Sequence, residues 1–375
     1  MLSIWEKETF HSPQDIIIVG AGLMGLWTAL ELKQRRPSLR ITILERNHTP
    51  SGASTRNAGF ACFGSPTELI RNSEIMGTDA MLQLVLLRYK GIEKIRRYFA
   101  DETIGFDPCG GYECINASYR HWKELDEKIH WLNGLLNGIT GSENIFTKAP
   151  SLLHTPGLAH FDAVYANPTE AGLHSGQLVQ ALTTKVQAAG VPILFGCPVN
   201  SWEQAADGVT VRSDERSFRA QQLLFCSNAF TQALVPELDI RPARGQVIVT
   251  SPIAGLAWKG TFHFDEGFYY WRNLGNRVLL GGARNKAIEE EATTDLAGSL
   301  PVRTALESFM KDLLPGHTYT IDHYWSGIMA FTEDGRPLVK AVRPNVWVSV
   351  ACNGMGVALT PMIAEKAADS MLDAM

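Results

Sequence analysis

Apolar residues along the chain keep two rhythms, and the switches between them mark out the elements. Residues 15–19 close on the β-branched run Ile16, Ile17, Ile18 and Val19, the pattern of a strand buried in a parallel sheet. Residues 22–35 then take a helical period, with Leu23, Leu26, Ala29 and Leu30 on the packed face, and residues 40–45 return to a strand. Strand, helix and strand together take about 30 residues, the size of one βαβ unit. Helical spacing recurs at 77–100, at 120–136 with Trp122, Leu125, Ile129 and Leu132 on one face, and at 175–189, 302–313 and 356–373. Short strands are expected at 191–195, 209–212, 223–226 and 346–351, with strand and Gly-Gly turn character at 106–115. The aromatic, β-rich stretches 244–250, 261–271 and 277–283 read as antiparallel strands, with a turn at 273–276.

Parallel βαβ features thus occur at the start, middle and end of the chain, with a helical segment and an antiparallel segment between them. This predicts an α/β fold with α+β elements and two interleaved domains. A Rossmann-like domain would comprise residues 1–90, 160–240 and 325–375. An antiparallel-sheet domain would comprise 91–159 and 241–324.

Composition changes this picture little. The 375 residues are 45% hydrophobic and 19% charged, with a net charge of −5, so non-specific attraction to nucleic acid is not expected. Cys62, Cys109, Cys114, Cys197, Cys226 and Cys352 are scattered and read as reduced thiols, with no metal site. The apolar run at 16–30 lacks a basic lead-in and is broken by three glycines, and no stretch reaches the ~20 apolar residues of a membrane span. A soluble, cytoplasmic protein is the expectation.

The first chemistry lies at Gly20, Gly22 and Gly25, a G-x-G-x-x-G that follows a strand and opens a helix, with Glu45 closing the next strand. Gly20 makes the tight turn, Gly22 lets the backbone approach a pyrophosphate, and Gly25 lets helix and strand pack closely. The helix start at Leu23 and Met24 offers unpaired N–H groups and partial positive charge to phosphates. Glu45 suits ribose hydroxyls and repels a 2′-phosphate. The small, polar segment SGASTRNAG (51–59), with Ser54, Thr55, Arg56 and Asn57, suits the pyrophosphate and ribityl region of an extended cofactor and points to FAD.

In these blocks the chain resembles the FAD-dependent family that includes D-amino-acid oxidase, glycine oxidase, sarcosine oxidase and gamma-glutamylputrescine oxidoreductase. The resemblance rests further on FCSNAFT (225–231), RGQVIVT (244–250), FYYWRNLGNRVLLGGAR (268–284), WSGIMAFTEDGRPLVK (325–340) and VACNGMGVALTP (350–361). It implies a flavin ring where a FAD domain meets a substrate domain. It also implies cofactor contacts at Arg46, at Val199 on a strand near the adenine, at Ser227, Asn228 and Gly327, and at Gly354, Met355, Gly356 and Val357 by the flavin pyrimidine edge.

The implied reaction is hydride transfer to flavin N5 from a carbon bearing an amine, the imine then hydrolysing, on a small amino acid or secondary amine. Other readings are an amine or polyamine-derivative oxidase, a 2-hydroxy-acid dehydrogenase, and a flavin-binding module without catalysis. Family members commonly anchor a substrate carboxylate with an Arg near 328–331 or 352–357, and this chain has none in either place. Arg272 and Arg284 are the candidate replacements, because a planar guanidinium fork binds carboxylates bidentately. Tyr269 is the candidate catalytic aromatic. Tyr269 and Trp271 must face one side of their strand and Tyr270 the other. His174, His263 and His323 read as structural. No Lys lies on the strand at 277–281, which leaves use of oxygen or another electron acceptor open, as is the oligomeric state. No Cys lies at 328–332, so FAD is expected to be non-covalent. Acid precipitation should therefore release the yellow colour into the supernatant; colour retained in the protein pellet would show a covalent link.

Overall fold

The computed structural model describes residues 3–205, 207–214 and 216–375. The chain divides into two compact units, Met1–Thr55, Gly176–Pro242 and Met329–Met375 forming the first, and Arg56–Ser175 and Ala243–Ile328 the second.

The first unit is built on a sheet in the order Leu338–Arg343, Val346–Val350, Arg216–Phe225, Gln14–Val19, Ile41–Leu44, Ile193–Leu194. The last five run parallel, and Leu338–Arg343 joins antiparallel. Ile16, Ile17 and Ile18 lie at its centre with no exposed surface, as a β-branched run covered on both faces requires. The helix Leu23–Arg35 is buried at every residue from Leu23 to Leu32, so no polar stripe faces water there. Helix Gly356–Asp373 packs along it. The expected short strands at 209–212 and 223–226 prove to be parts of larger elements. Arg216–Phe225 is ten residues long, and its first half pairs antiparallel with Gly208–Ser213.

The second unit's sheet runs Ile321–Phe331, Arg241–Thr250, Arg277–Gly282, Tyr269–Leu274, Thr261–Phe264, Gly111–Ile115, Ala163–Asn167, Thr147–Lys148. Pairing from Arg241–Thr250 to Thr261–Phe264 is antiparallel, Thr261–Phe264 meets Gly111–Ile115 in parallel, and Ala163–Asn167 pairs antiparallel with both Gly111–Ile115 and Thr147–Lys148. The strand expected at 261–271 is two strands. Asp265, Glu266 and Gly267, at φ of 56°, 54° and 85°, turn the chain between them in a left-handed conformation that strands exclude.

Period-two alternation gives this sheet two unlike faces. One carries Cys114, Val164, Ile248, Phe262, Tyr269, Trp271, Val278 and Leu280 against Val302, Leu306, Met310 and Leu313 of the helix Leu300–Leu313. The opposite face is apolar only at its ends. Val247, Val249 and Leu279 meet Ala58 and Trp325 at one end. Ile115 and Tyr165 at the other end pack with residues of the helices Pro66–Met76, Thr78–Tyr98 and Leu125–Thr140. That last cluster is why residues 56–90 group with the second unit rather than with the glycine turn at 20–25. Residues 160–175 group there because Ala163–Asn167 is a strand of its sheet.

Arg244 and Glu291 form a buried ion pair in this unit (2.9 Å), with side chains 5% and 0% exposed, and Gln246 also donates to Glu291. Arg212 and Glu203 pair on the surface, 49% and 63% exposed. Glu291→Ala leaves a buried guanidinium uncompensated and should cost about 3–5 kcal/mol. Glu203→Ala should cost less than about 1 kcal/mol. Thermal denaturation of both variants checks the contrast.

Candidate active site

The glycine turn of the first unit is shaped by close backbone approaches. Gly20 has φ 108°, its N–H donates to Leu44 O (2.8 Å), and a Cβ there would lie 3.0 Å from Cys226 O. A Cβ on Gly25 would lie 2.0 Å from Gly20 O, so helix and turn meet at a distance only glycine permits. Gly22 is the N-cap of Leu23–Arg35, and Ser54 Oγ accepts the Leu23 N–H (2.9 Å). Glu45 is buried. Its Oε2 accepts the Ala21 N–H (2.9 Å) and its Oε1 the Asn47 N–H (3.1 Å), so the carboxylate is held in place by the turn itself with further lone pairs on each oxygen. The Arg46 guanidinium stacks on the Phe230 ring, 3.9 Å from its centre.

Backbone strain collects where the central parallel strands end. Asn228, just after Arg216–Phe225, has φ 53°. Ala351, Asn353 and Gly354, just after Val346–Val350, have φ 63°, 50° and 85°. Left-handed non-glycine residues cost energy and cluster at functional sites, and parallel sheets bind ligands beyond the carboxyl ends of their strands. Here two amide side chains hold the strained loops: Asn228 Oδ1 accepts the Ala351 N–H (3.4 Å) and Asn353 Oδ1 the Thr332 N–H (2.9 Å). Ser227 Oγ lies 2.8 Å from Thr231 Oγ1. Met355 caps the helix that begins at Gly356 and Val357. Where an anchoring Arg was sought, Met329 Sδ and Phe331 sit beside Gly354, 3.7 and 3.9 Å from the place of its missing Cβ. Val199 requires correction. It lies on no strand, because the chain bends at 195–196 and the next strand, Ser201–Ala205, starts two residues later.

The polar block at 51–59 is tied to nearby backbone. Thr55 Oγ1 donates to Pro50 O (2.8 Å). Arg56 Nη1 donates to Ser326 O (2.9 Å), Trp325 Nε1 donates to Arg56 O (3.0 Å), and a Cβ on Gly327 would lie 3.0 Å from Arg56 Cβ. Asn57 Oδ1 accepts from Gly59 N (2.9 Å) and Ser175 Oγ (2.6 Å).

Two candidate catalytic residues on the second sheet are also corrected. Tyr269 faces the core, its ring 4.6 Å from Phe309, because its strand phase puts it with Trp271 under the helix Leu300–Leu313. Arg272 does lie on the opposite face, but its guanidinium donates to Gly59 O (2.5 Å), Leu173 O (3.0 Å) and Asn273 O (3.1 Å). Its Nε and Nη1 are thus given to backbone carbonyls, and it clamps the loops around Gly59 and Leu173. Arg284 stays half-buried, its charge disfavoured by burial and by nearby Arg71 but supported by Tyr270.

What alternation places on that face is a cross-strand row: Val247, Gly281, Tyr270, His263, Glu113 and Tyr165 stand opposite one another strand by strand. The Tyr270 ring lies over Gly281, 2.4 Å from where a Cβ would be. Burial pushes its phenol up to about 12. In the next row Gly111 leaves room for the Glu170 side chain, which accepts from Thr261 Oγ1 (2.9 Å) and meets His263 Nε2 (2.5 Å). Burial opposes the charged His263 ring, but the carboxylates of Glu170, Glu113 and Glu68 outweigh it, and the imidazole is protonated above its ordinary range. Glu113 accepts from the Thr67 N–H (2.8 Å) and its hydroxyl, yet burial raises its carboxyl to about 7.

Cys62, Glu170 and His263 offer donor atoms within 4.8 Å of one another. Two ligands on a tetrahedral ion, each about 2.0 Å from it, stand roughly 3.3 Å apart. His263 Nε2 and Glu170 Oε1 stand closer than that, within hydrogen-bond distance of each other. Burial holds the Cys62 thiol far up, and Glu170 adds to it.

The sequence signal for these residues was faint but present. Glu113 interrupts the strand Gly111–Ile115 at an inward position, and His263 alternates with Phe262 and Phe264.

A glycine turn with an acidic strand end, strained loops beyond parallel strands, and a second sheet bearing buried titratable groups define a dinucleotide-dependent oxidoreductase. The chain belongs to the DAO family: the description FAD dependent oxidoreductase matches residues 15–370, and FAD is that family's cofactor. It is 24% identical to the glycine oxidase of Geobacillus kaustophilus over 95% of this chain and 92% of that one. It is also 24% identical to the bifunctional protein ThiO/ThiG of Synechocystis sp., covering 97% of this chain but only 52% of that protein, so it spans about half the length of that relative. The L-proline dehydrogenase of P. horikoshii superposes with a TM-score of 0.77 at 15% identity (97% and 94% of the chains), and the Geobacillus glycine oxidase with 0.75 at 21% (97% and 95%). These likenesses establish the fold, and the relatives establish an FAD-dependent enzyme.

Glu113 generates a pH prediction. Its folded value of about 7 exceeds the ordinary 4.5, so its contribution to stability is full below pH 4.5 and is lost as pH rises to about 7. Glu113→Gln keeps the shape and can still pair with Thr67. The difference in thermal midpoint, variant minus wild type, should rise between pH 4.5 and 7 and then level. A difference that falls over that range would refute the assignment.

Proposed function

We propose that this protein oxidises the C–N bond of a small amine or amino acid. The observation that carries this reading is the polar row on the second unit's sheet, with Tyr270, His263, Glu113 and Glu170 in the middle of a face that is apolar at both ends. The names of the relatives support it: glycine oxidase and D-amino acid dehydrogenase by sequence, L-amino acid deaminase and iminodiacetate oxidase by fold.

The residues suited to FAD are Gly20, Gly22, Leu23, Met24 and Gly25 at the pyrophosphate and Glu45 at the ribose. Arg46, Ser54, Thr55, Arg56, Asn57, Ser227, Asn228 and Gly327 shape the surrounding segments, and Gly354, Met355, Gly356 and Val357 suit the pyrimidine edge. Bound flavin supplies the hydride acceptor, and the imine product hydrolyses in water. The chain's own residues do the rest. The start of the 18-residue helix Gly356–Asp373 offers partial positive charge. Arg284, flanked by Tyr270 and Arg71, receives a substrate carboxylate. No Cys stands at 328–332 to tether the flavin, which is held non-covalently.

Met329 and Phe331 beside Gly354 favour a second reading, an amine without a carboxylate, such as a polyamine derivative. An anaerobic screen that follows loss of the flavin band near roughly 450 nm separates the two. Amino acids should bleach it, and Arg284→Met should raise their KM on the order of ten- to a hundredfold. Bleaching by simple amines, indifferent to Arg284→Met, selects the second reading. Bleaching by 2-hydroxy acids alone overturns both.

A further inference from the structure

The rows of the second sheet place a charged pair directly behind two aromatic rings. His263 and Glu170 are 6% and 2% exposed and share a 2.5 Å hydrogen bond. The ring of Phe60, half-buried, stands edge-to-face against His263 (5.2 Å between centres, 86°) and against Tyr270 (5.9 Å, 75°). Phe60 is thereby the link between the buried pair and the half-buried phenol.

We propose that the Glu170–His263 pair is a positioning device for the amine substrate: the imidazolium that Glu170 maintains holds Phe60, and Phe60 fixes Tyr270. This rests on the oxidative reading above and adds residues that act through others. A protonated imidazole turned edge-on to the Phe60 face, as the 86° between the rings allows, is attracted to it within about 6 Å, most strongly where water is excluded. A neutral imidazole keeps the packing but loses that attraction, and Phe60 and Tyr270 are then free to take other rotamers.

The groups around His263 agree with a protonated ring. Glu170 reaches it from the turn before Ala171–Gly172, supported by Thr261. Glu113 stands opposite it on Gly111–Ile115. Glu68, on Pro66–Met76, bears on it from further away and is itself paired with Arg88 (3.0 Å). Cys62 lies within 4.8 Å of the pair as a thiol. Tyr270 flanks it on the other strand. Glu170, in direct contact, is the carboxylate that holds the ring's proton, and Glu113 adds to it once its own carboxyl ionises at about 7. Gly111 is what admits the nearer one, since any Cβ there would lie 2.4 Å from the Glu170 carboxyl carbon.

The test uses the FAD-loaded enzyme with the best substrate from the anaerobic screen. Glu170→Gln keeps an oxygen for Thr261 and His263 but removes the charge. Its kcat/KM should fall on the order of tenfold through KM, with kcat less affected. The alkaline limb of its kcat/KM profile should move to lower pH, and the His263 imidazole resonances should titrate lower than in wild type. Phe60→Leu should raise KM similarly and flatten that limb, while the His263 resonances titrate as in wild type. Profiles that superimpose for wild type and Glu170→Gln, with only the thermal midpoint lowered, would reduce the pair to a structural role and overturn the proposal. A His263 that is neutral at pH 6 in wild type would overturn it as well. A wild-type flavin bleached by no amine overturns the oxidative reading, and this inference with it, which a superimposed profile does not do.

Discussion

The seat of the helix Leu23–Arg35 depends on one contact, the approach of Gly25 to the carbonyl of Gly20. At 2.0 Å from that oxygen, any Cβ would force the helix Leu23–Arg35 away from the strand Gln14–Val19. Everything around it presupposes the close seating. The helix is buried over ten consecutive residues, Gly356–Asp373 packs along it, and Glu45 and Ser54 accept N–H groups from the turn and the helix start.

The second unit uses missing side chains differently. Gly281 makes a floor for the Tyr270 ring, and Gly111 makes a slot for Glu170. On a pleated sheet each side chain otherwise has neighbours about 5 Å away on the adjoining strands, which leaves no space for a residue arriving from above. Both glycines stand beside the residues they accommodate, one in each of two neighbouring rows. The polar middle of this face is therefore a property of the sheet's register. A one-residue slip would send Tyr270, His263 and Glu113 into the apolar face and expose Tyr269 and Phe262 in their place.

Much of this was legible in the sequence, and the rest failed for physical reasons. The β-branched run at 16–19, the glycine spacing and Glu45 carry their information locally, and the interleaving followed from βαβ features at three places. Alternation made clear that Tyr269 and Tyr270 face opposite ways. It could not say which side was core, because the helix that decides it begins at Leu300. Arg272 was on the right face, but its partners, Gly59 and Leu173, are brought to it only by the fold. Glu170 was invisible for the same reason: nothing near it in sequence announces His263. The domain boundary was placed too late because the helices Pro66–Met76 and Thr78–Tyr98 continue from the cofactor segment in sequence, while Leu69, Ile70, Met81 and Val85 bury themselves with Ile115.

The order of strands in the first sheet also has a consequence for how the chain is made. Gln14–Val19 pairs with Ile41–Leu44 at once, but its other neighbour, Arg216–Phe225, is separated from it by about two hundred residues. At the usual pace of translation those take roughly 10–40 s to emerge. Meanwhile the apolar edge at Ile16, Ile17 and Ile18 has no partner on that side, and the cover of Leu23–Arg35 comes later still with Gly356–Asp373. The second unit has its own long wait, since Gly111–Ile115 must find Thr261–Phe264. A nascent chain of this design is half-sheeted for most of its synthesis, and the yield of folded protein will depend on what shields those edges until the last strand and helix arrive.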